Sequence, residues 1–293
     1  MAKKLITVDG KVVKVNNQPL AIETNNLVEK LIQEKKTTYY LFHKFAGTSV
    51  DEYISYSSTE GVTDMTGMFH SNSNLIKAPN LNTDSVTNMS IMFHSCKKMT
   101  DVPLYNTTNV TNMAQMFYDC DALKTIPKFD TSNVVSMSNM FYSAGGLASL
   151  PDLDTSNVAS MDNMLRGCTS LLNVKLNTDS LTNMRYMFMS TPNIISVEFS
   201  SIDNLTQTNS GFSGCYSLVK WIIRNMTKLP VLENVNTFNN CYHFTGTKNA
   251  TYNPDGLKDG RIYIPDEWVD QVKAATNWST YADIIVPLST LEE

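Results

Sequence analysis

Hydrophobic positions recur along this chain with a long period. Met65-Thr66-Gly67-Met68-Phe69 returns as Met89-Ser90-Ile91-Met92-Phe93, and again from Met113, Met137, Met161 and Met184, at a step of 24 residues four times and then 23. A copy at Thr208–Phe212 has lost both methionines, and a decayed one centres on Phe238. Spacings of three and four place Met, Met and Phe on one face, which predicts a helix of about two turns. Asp84-Ser85, Thr108-Asn109 and Ser132-Asn133 supply helix-starting side chains just upstream. Ten residues after the first Met stand Leu75, Met99, Leu123, Leu147, Leu171, Ile194 and Leu218, and three further on Ala78, Val102, Ile126, Leu150, Val174, Val197 and Trp221. These predict a short strand. Pro79, Pro103, Pro127 and Pro151 mark its end, because proline has no amide to donate to a ladder.

A unit this small cannot bury its apolar face alone; stacked copies bury a continuous core. The expected class is therefore an α/β repeat, a solenoid of short helices and a parallel strand ladder. The pattern Val-Thr-Asn-Met-x-x-Met-Phe-x-x-Cys-x-x-Leu, best seen at Val86–Met99 and Val110–Leu123, resembles the BspA-like leucine-rich repeat family over about residues 62–223. That resemblance implies a right-handed leucine-rich-repeat-type solenoid with the strand ladder on one side. It also implies a place among bacterial cell-surface proteins or phage and prophage virion proteins.

Three regions follow. Residues 1–61 lack the repeat. Leu5–Val8 and Val12–Val15 flank Asp9-Gly10-Lys11 as a hairpin, Asn25–Lys36 reads as an amphipathic helix, and Tyr39–Phe45 reads as a strand. This region is expected to cap the core or attach it to a virion. Residues 62–231 carry the repeats, and 232–293 hold the decayed copy and a carboxy-terminal cap. In that cap Arg261–Ile264 reads as a strand and Pro265-Asp266-Glu267 as a helix start, with Trp268, Val272 and Ala275 at helical spacing.

Charged residues make up 17% of the chain and the formal net charge is −5, without the basic stripe that nucleic acid requires. No apolar run is long enough to span a membrane, and the segment from Met1 to Gly10 lacks the apolar stretch of a secretion signal. The expectation is a virion protein assembled in the bacterial host cytoplasm, with a bacterial cell-surface location as the alternative.

Several side chains invite chemistry. Cys96, Cys120, Cys168, Cys215 and Cys241 share one repeat position with Asn72, Ala144 and Thr191, so the site wants a small buried side chain. The paired spacing of a zinc site is absent. Twelve of the sixteen methionines fall at the two repeat positions, which fits core ladders better than a copper site. His70 and His94 share the position after Phe with Tyr118, Tyr142 and Arg166. A shared metal there competes with an outward aromatic ladder, and the ladder is expected. Asp101, Asp119 and Asp121 fall at variable positions, unlike a positioned glycosidase pair.

The chain is therefore expected to be non-catalytic, without metal or cofactor. It is expected to act as a fibre, tail-tip or head-decoration protein displaying a solenoid for adhesion. Its expected partners are other virion proteins through the amino-terminal region, a host cell-surface glycan or protein, and further copies of itself. The alternative is a secreted bacterial adhesin. Two residues past the repeat Leu lie Lys77, Asp101, Thr125, Ser149, Asn173, Ser196 and Lys220, an expected outward row. With Tyr118 and Tyr142 these are the candidate contact residues.

Overall fold

A computed structural model describes residues 59–233 and 235–292, together with six two-residue strands near the amino terminus. Those strands are β1 (Lys4–Leu5), β2 (Thr7–Val8), β3 (Lys11–Val12), β4 (Lys14–Val15), β5 (Gln18–Pro19) and β6 (Ala21–Ile22). β2 pairs antiparallel with β3, which joins only part of the two runs expected to form a hairpin: Leu5 pairs instead with Ala21 in β1–β6, and Lys14 and Val15 with Pro19 and Gln18 in β4–β5. The expected helix over 25–36 and strand over 39–45 lie outside the described residues.

From Thr59 onward each repeat is one coil of a solenoid-like stack. The Met–Phe segment is not a helix. Its amides alternate between two sets of acceptors. Those of Met65, Gly67, Phe69 and Ser71 donate to Asn88, Ser90, Met92 and His94 of the next coil at 2.7–3.0 Å. Those of Met68, His70 and Asn72 donate to carbonyls three residues back at 3.0–3.2 Å. The third residue of each Met-x-x-Met (Gly67, Ile91, Gln115, Asn139, Asn163, Tyr186, Ser210) is left-handed, at φ 53–63°. Ser71, Ser95, Asp119, Ser143, Gly167, Ser190, Gly214 and Asn240 are left-handed as well. A right-handed helix cannot pass through such residues. The segment is a run of tight turns that still presents Met, Met and Phe to one side. The Asp/Ser/Thr/Asn segments upstream likewise make turns rather than helix starts: Thr108 N–H donates to the Asn106 carboxamide, and Val110 N–H to Thr107 O.

The core is a set of ladders. Both methionines of every coil from Met65 to Met187 are 0% exposed. Phe69, Phe93, Phe117 and Phe141 stack with ring centroids 5.3–5.7 Å apart. Leu165 interrupts the pile, which resumes as Phe188, Phe212 and Phe238 at 5.1–5.3 Å. The decayed copies thus keep their place in the stack. Buried threonines hold the corners: the hydroxyls of Thr107 and Thr131 donate at 2.8 Å to the Asp130 and Asp154 carbonyls of the next coil.

Regular strands form only in the later coils. β7 (Asn173–Leu176), β8 (Ser196–Ser201), β9 (Lys220–Asn225), β10 (Arg261–Ile264) and β11 (Ile285–Pro287) make one parallel sheet in sequential order. Lys175 pairs with Glu198, and Glu198 with Ile222. These three residues stand where earlier coils carry Pro79, Pro103, Pro127 and Pro151. The strands expected in those earlier coils are reduced to isolated contacts such as the Lys77–Asp101 bridge. Proline does more than end the strand there: it withholds the ladder amide, so no regular strand forms.

Beyond β10 come a short 3-10 turn (Asp266–Trp268) and a helix (Val269–Ala274), close to the expectation for that segment. Trp278 stacks on Trp221 at 5.9 Å and donates to Pro230 O, while Trp268 donates to Met226 O. Among the described residues no helix is long and apolar enough to cross a membrane.

Candidate binding face

The expected outward row does face out. Lys77, Asp101, Thr125, Ser149 and Asn173 are exposed, and Ser196 and Lys220 are half-buried. Strand alternation explains this: in β9, Trp221 and Ile223 point into the core while Lys220 and Arg224 point away. The structure brings Asn173, Ser196 and Lys220 side by side as in-register partners of β7, β8 and β9. Lys77 and Asp101 are joined by their backbone bridge and a 4.0 Å ion pair.

This face is indented. A groove of about 880 Å³ runs over the ends of five coils, between Lys128 and Asn225. A second depression, about 410 Å³, lies between Pro151 and Lys175, and a third, about 480 Å³, lies over β7–β9 beside Leu291. Lys175 lines both the groove and the second depression, and Glu198 and Arg224 line both the groove and the third. Glu198 receives Lys175 Nζ on Oε1 and Arg224 Nη2 on Oε2, both at 2.8 Å. The Arg224 guanidinium, with Lys175 adding to it, holds the Glu198 carboxyl below its usual range against the opposing effect of burial. A carboxylate clamped in this way serves as a fixed charge rather than a proton donor. Asp130 and Asp154, also in the groove, are held below their usual range by the hydroxyls and amides of Ser132 and Ser156.

Lys175, Glu198 and Arg224 are not in the outward row read from sequence, although they sit on the same face two or four residues further along. The loss of proline at that position in three successive repeats is the signal that marks the first two.

Tyr118 and Tyr142 belong to the turn segment and line none of these depressions. They form the expected ladder: His70–His94 at 4.7 Å, His94–Tyr118 at 4.4 Å, Tyr118–Tyr142 at 4.5 Å, then the Arg166 guanidinium between Tyr142 and Tyr186. The tyrosine rings lie 1° from parallel, so they face one another and present mainly edges and hydroxyls to solvent. Burial lowers the His94 pKa. Asp121, whose carboxyl is raised by burial and by Asp119, lies on this side beside Lys97.

The five cysteines are buried free thiols. Each donates to the carbonyl of the aromatic residue one coil back, as in Cys96 Sγ to Phe69 O and Cys120 Sγ to Phe93 O, both at 3.1 Å. Thr191 Oγ1 does the same to Leu165 O at 2.8 Å. Six of the eight coils thus place a small donor at this position, while Ala144 shows that a small side chain without one also fits. Burial pushes the Cys96 thiol up to about 12. No group of three or more metal-ligating side chains occurs among the described residues.

Three overlapping segments, 37–150, 121–225 and 147–251, match the family described as "Mycoplasma protein of unknown function, DUF285". Together they cover well over half of the chain. The chain belongs to this family. The DUF285 matches overlap because the period is short and any run of several coils resembles the next. No curated protein matches the chain.

Proposed function

We propose that this DUF285 protein is a non-catalytic display scaffold. In this reading it is a right-handed, leucine-rich-repeat-type solenoid of the BspA-like kind, closed at both ends by its flanking segments. A phage particle carries it through the amino-terminal region, and its strand face adheres to a host cell-surface glycan or protein. The supporting observation is the continuity of that face: three depressions, joined through Lys175, Glu198 and Arg224, lie over consecutive coils whose side chains are fixed by the ladders beneath them. A second reading, a bacterial surface adhesin, draws support from the family description, which names proteins of a bacterium rather than of a phage.

The test is to probe purified phage particles and intact producing cells with an antibody to the solenoid, and to measure binding of the purified protein to host cells. Signal on particles with saturable binding to cells is the expected result. Signal on the producing cell surface alone transfers the reading to the adhesin. Absence of saturable binding in either setting overturns the adhesive role.

A further inference from the structure

The carboxy-terminal cap holds one histidine, His243, on the helical turn Tyr242–Thr245. Its side chain is only 17% exposed, and both ring nitrogens have a partner. Nδ1 faces Asp259 Oδ1 at 2.7 Å, and Nε2 faces the Tyr252 carbonyl oxygen at 2.9 Å. Both partners lie on the segment 246–260, which leaves this turn and leads into β10. A carbonyl oxygen can only accept a hydrogen bond, and so can an ionised carboxylate. Both bonds therefore exist together only while the His243–Asp259 pair holds one proton more than a neutral ring and a carboxylate. Without that proton one ring nitrogen turns a lone pair towards an oxygen, and either Asp259 or the Tyr252 carbonyl loses its donor.

The neighbouring charges leave this pair to itself. Lys258 is engaged by Asp283 at 2.6 Å, and Arg261 spends Nη1 on the Lys258 and Gly260 carbonyls. Lys248 and Asp255 are exposed on the segment, and Tyr242 and Tyr252 bring only phenols. Other ties between the segment and the turn carry no charge: Gly260 N–H donates to His243 O, and Asn253 Nδ2 to Tyr242 O. Tyr252 rests its ring 4.9 Å from that of Tyr216, which in turn stacks on Tyr242 at 5.0 Å. Within the segment, Asn253 N–H donates to Asn249 O and Leu257 N–H to the Asn253 carboxamide.

We propose that the segment 246–260 is a proton-dependent clasp. It holds Tyr252 against the stacked Tyr216–Tyr242 pair while His243 bridges Tyr252 and Asp259, and it loosens when the pair gives up its proton. Acid conditions favour the closed form and rising pH the loosened one. The clasp is independent of the adhesive reading above.

The experiment follows the full chain by NMR across about pH 5–9, which brackets the ordinary range of histidine titration. The carbon-bound ring protons of His243 report its charge, and hydrogen exchange gives protection factors for the Asn253 and Leu257 amides. The expected result is protection that falls about tenfold in step with the ring's titration, while the Phe117 amide in the central coils keeps its protection. Asp259→Asn offers an amide N–H to Nδ1, so a neutral ring keeps both bonds; protection there should stay high and lose its pH dependence. His243→Ala should show the low protection at every pH. Protection that does not follow the ring, or a ring whose charge is constant across the range, overturns the proposal. Asp259→Asn with the pH dependence of the unaltered chain overturns it too, and so does His243→Ala with full protection. Should His243→Ala also lose protection at Phe117, the fold itself has suffered, and Asp259→Asn decides alone.

Discussion

The coils from Val62 to Pro151 and those from Asn173 to Pro287 share one core and differ in one backbone property. In the first half the strand position holds proline and neighbouring coils meet there only at isolated bridges. In the second half Lys175, Glu198 and Ile222 replace proline and a five-stranded parallel sheet forms. The buried aromatic ladder, broken at Leu165, runs through both, while the methionine pairs end at Met187 and the valine position turns to Leu181 and Leu205. A continuous strand is therefore dispensable to the stack. The turn-to-turn hydrogen bonds and the aromatic pile hold the coils in register without it, and the sheet adds a pleated surface on which charged side chains can be aimed outward.

The sharpest test of a shared core removes the same ring from each half. Phe117→Ala and Phe212→Ala should each cost about 3–5 kcal/mol, since each ring is fully buried between two stacked neighbours. Denaturant unfolding monitored by circular dichroism reads both, and a much smaller loss in the sheet half would mean that the strands carry stability there instead. Glu198→Pro imposes the first-half pattern on a central strand and removes the partner of Lys175 and Arg224; a loss of about 2–4 kcal/mol is expected, with amide exchange accelerated across β7–β9 and unchanged near Met92.

Alkaline pH should weaken both halves, because each contains buried thiols. For Cys96 the folded value of about 12 lies above the ordinary 9.0, so its contribution is complete below pH 9 and is lost as pH rises between 9 and about 12. Stability measured across that range should fall less steeply in Cys96→Ala, a change the stack already tolerates at Ala144. Ile91 is β-branched yet left-handed at φ 61°, so Ile91→Asn should raise stability by about 1 kcal/mol, visible as a higher Tm. The smallest effect belongs to Pro151→Lys, which restores an amide at the border of the two halves. A gain of less than about 1 kcal/mol is expected, with one added strand detectable as protected amides around Leu150.

The period was legible because stacked coils demand equivalent residues at equivalent places, and Met113, Phe117 and Leu123 announce the same ladder wherever they recur. The turns were not. Spacings of three and four serve a helix and a run of three-residue turns equally well, and only the left-handed residues separate the two. Gly67, Asn139 and Asn163 are suited to that conformation, whereas Ile91 and Tyr186 conceal it. The direction of the row from Lys77 to Lys220 followed from strand alternation. The meeting point of the depressions did not, since Lys175 and Glu198 matter through the absence of a proline, and Arg224 through a neighbour in another repeat.

One coil per repeat makes the face a graduated scale. Neighbouring coils joined by hydrogen bonds stand about 4.8 Å apart, so the row from Lys77 to Lys220 extends roughly 29 Å and carries one mark per coil. Insertion or loss of a repeat would lengthen or shorten that scale by one graduation without disturbing the core on either side. On the adhesive reading proposed above, extended ligands with different subunit spacings would be told apart by where they fall out of step.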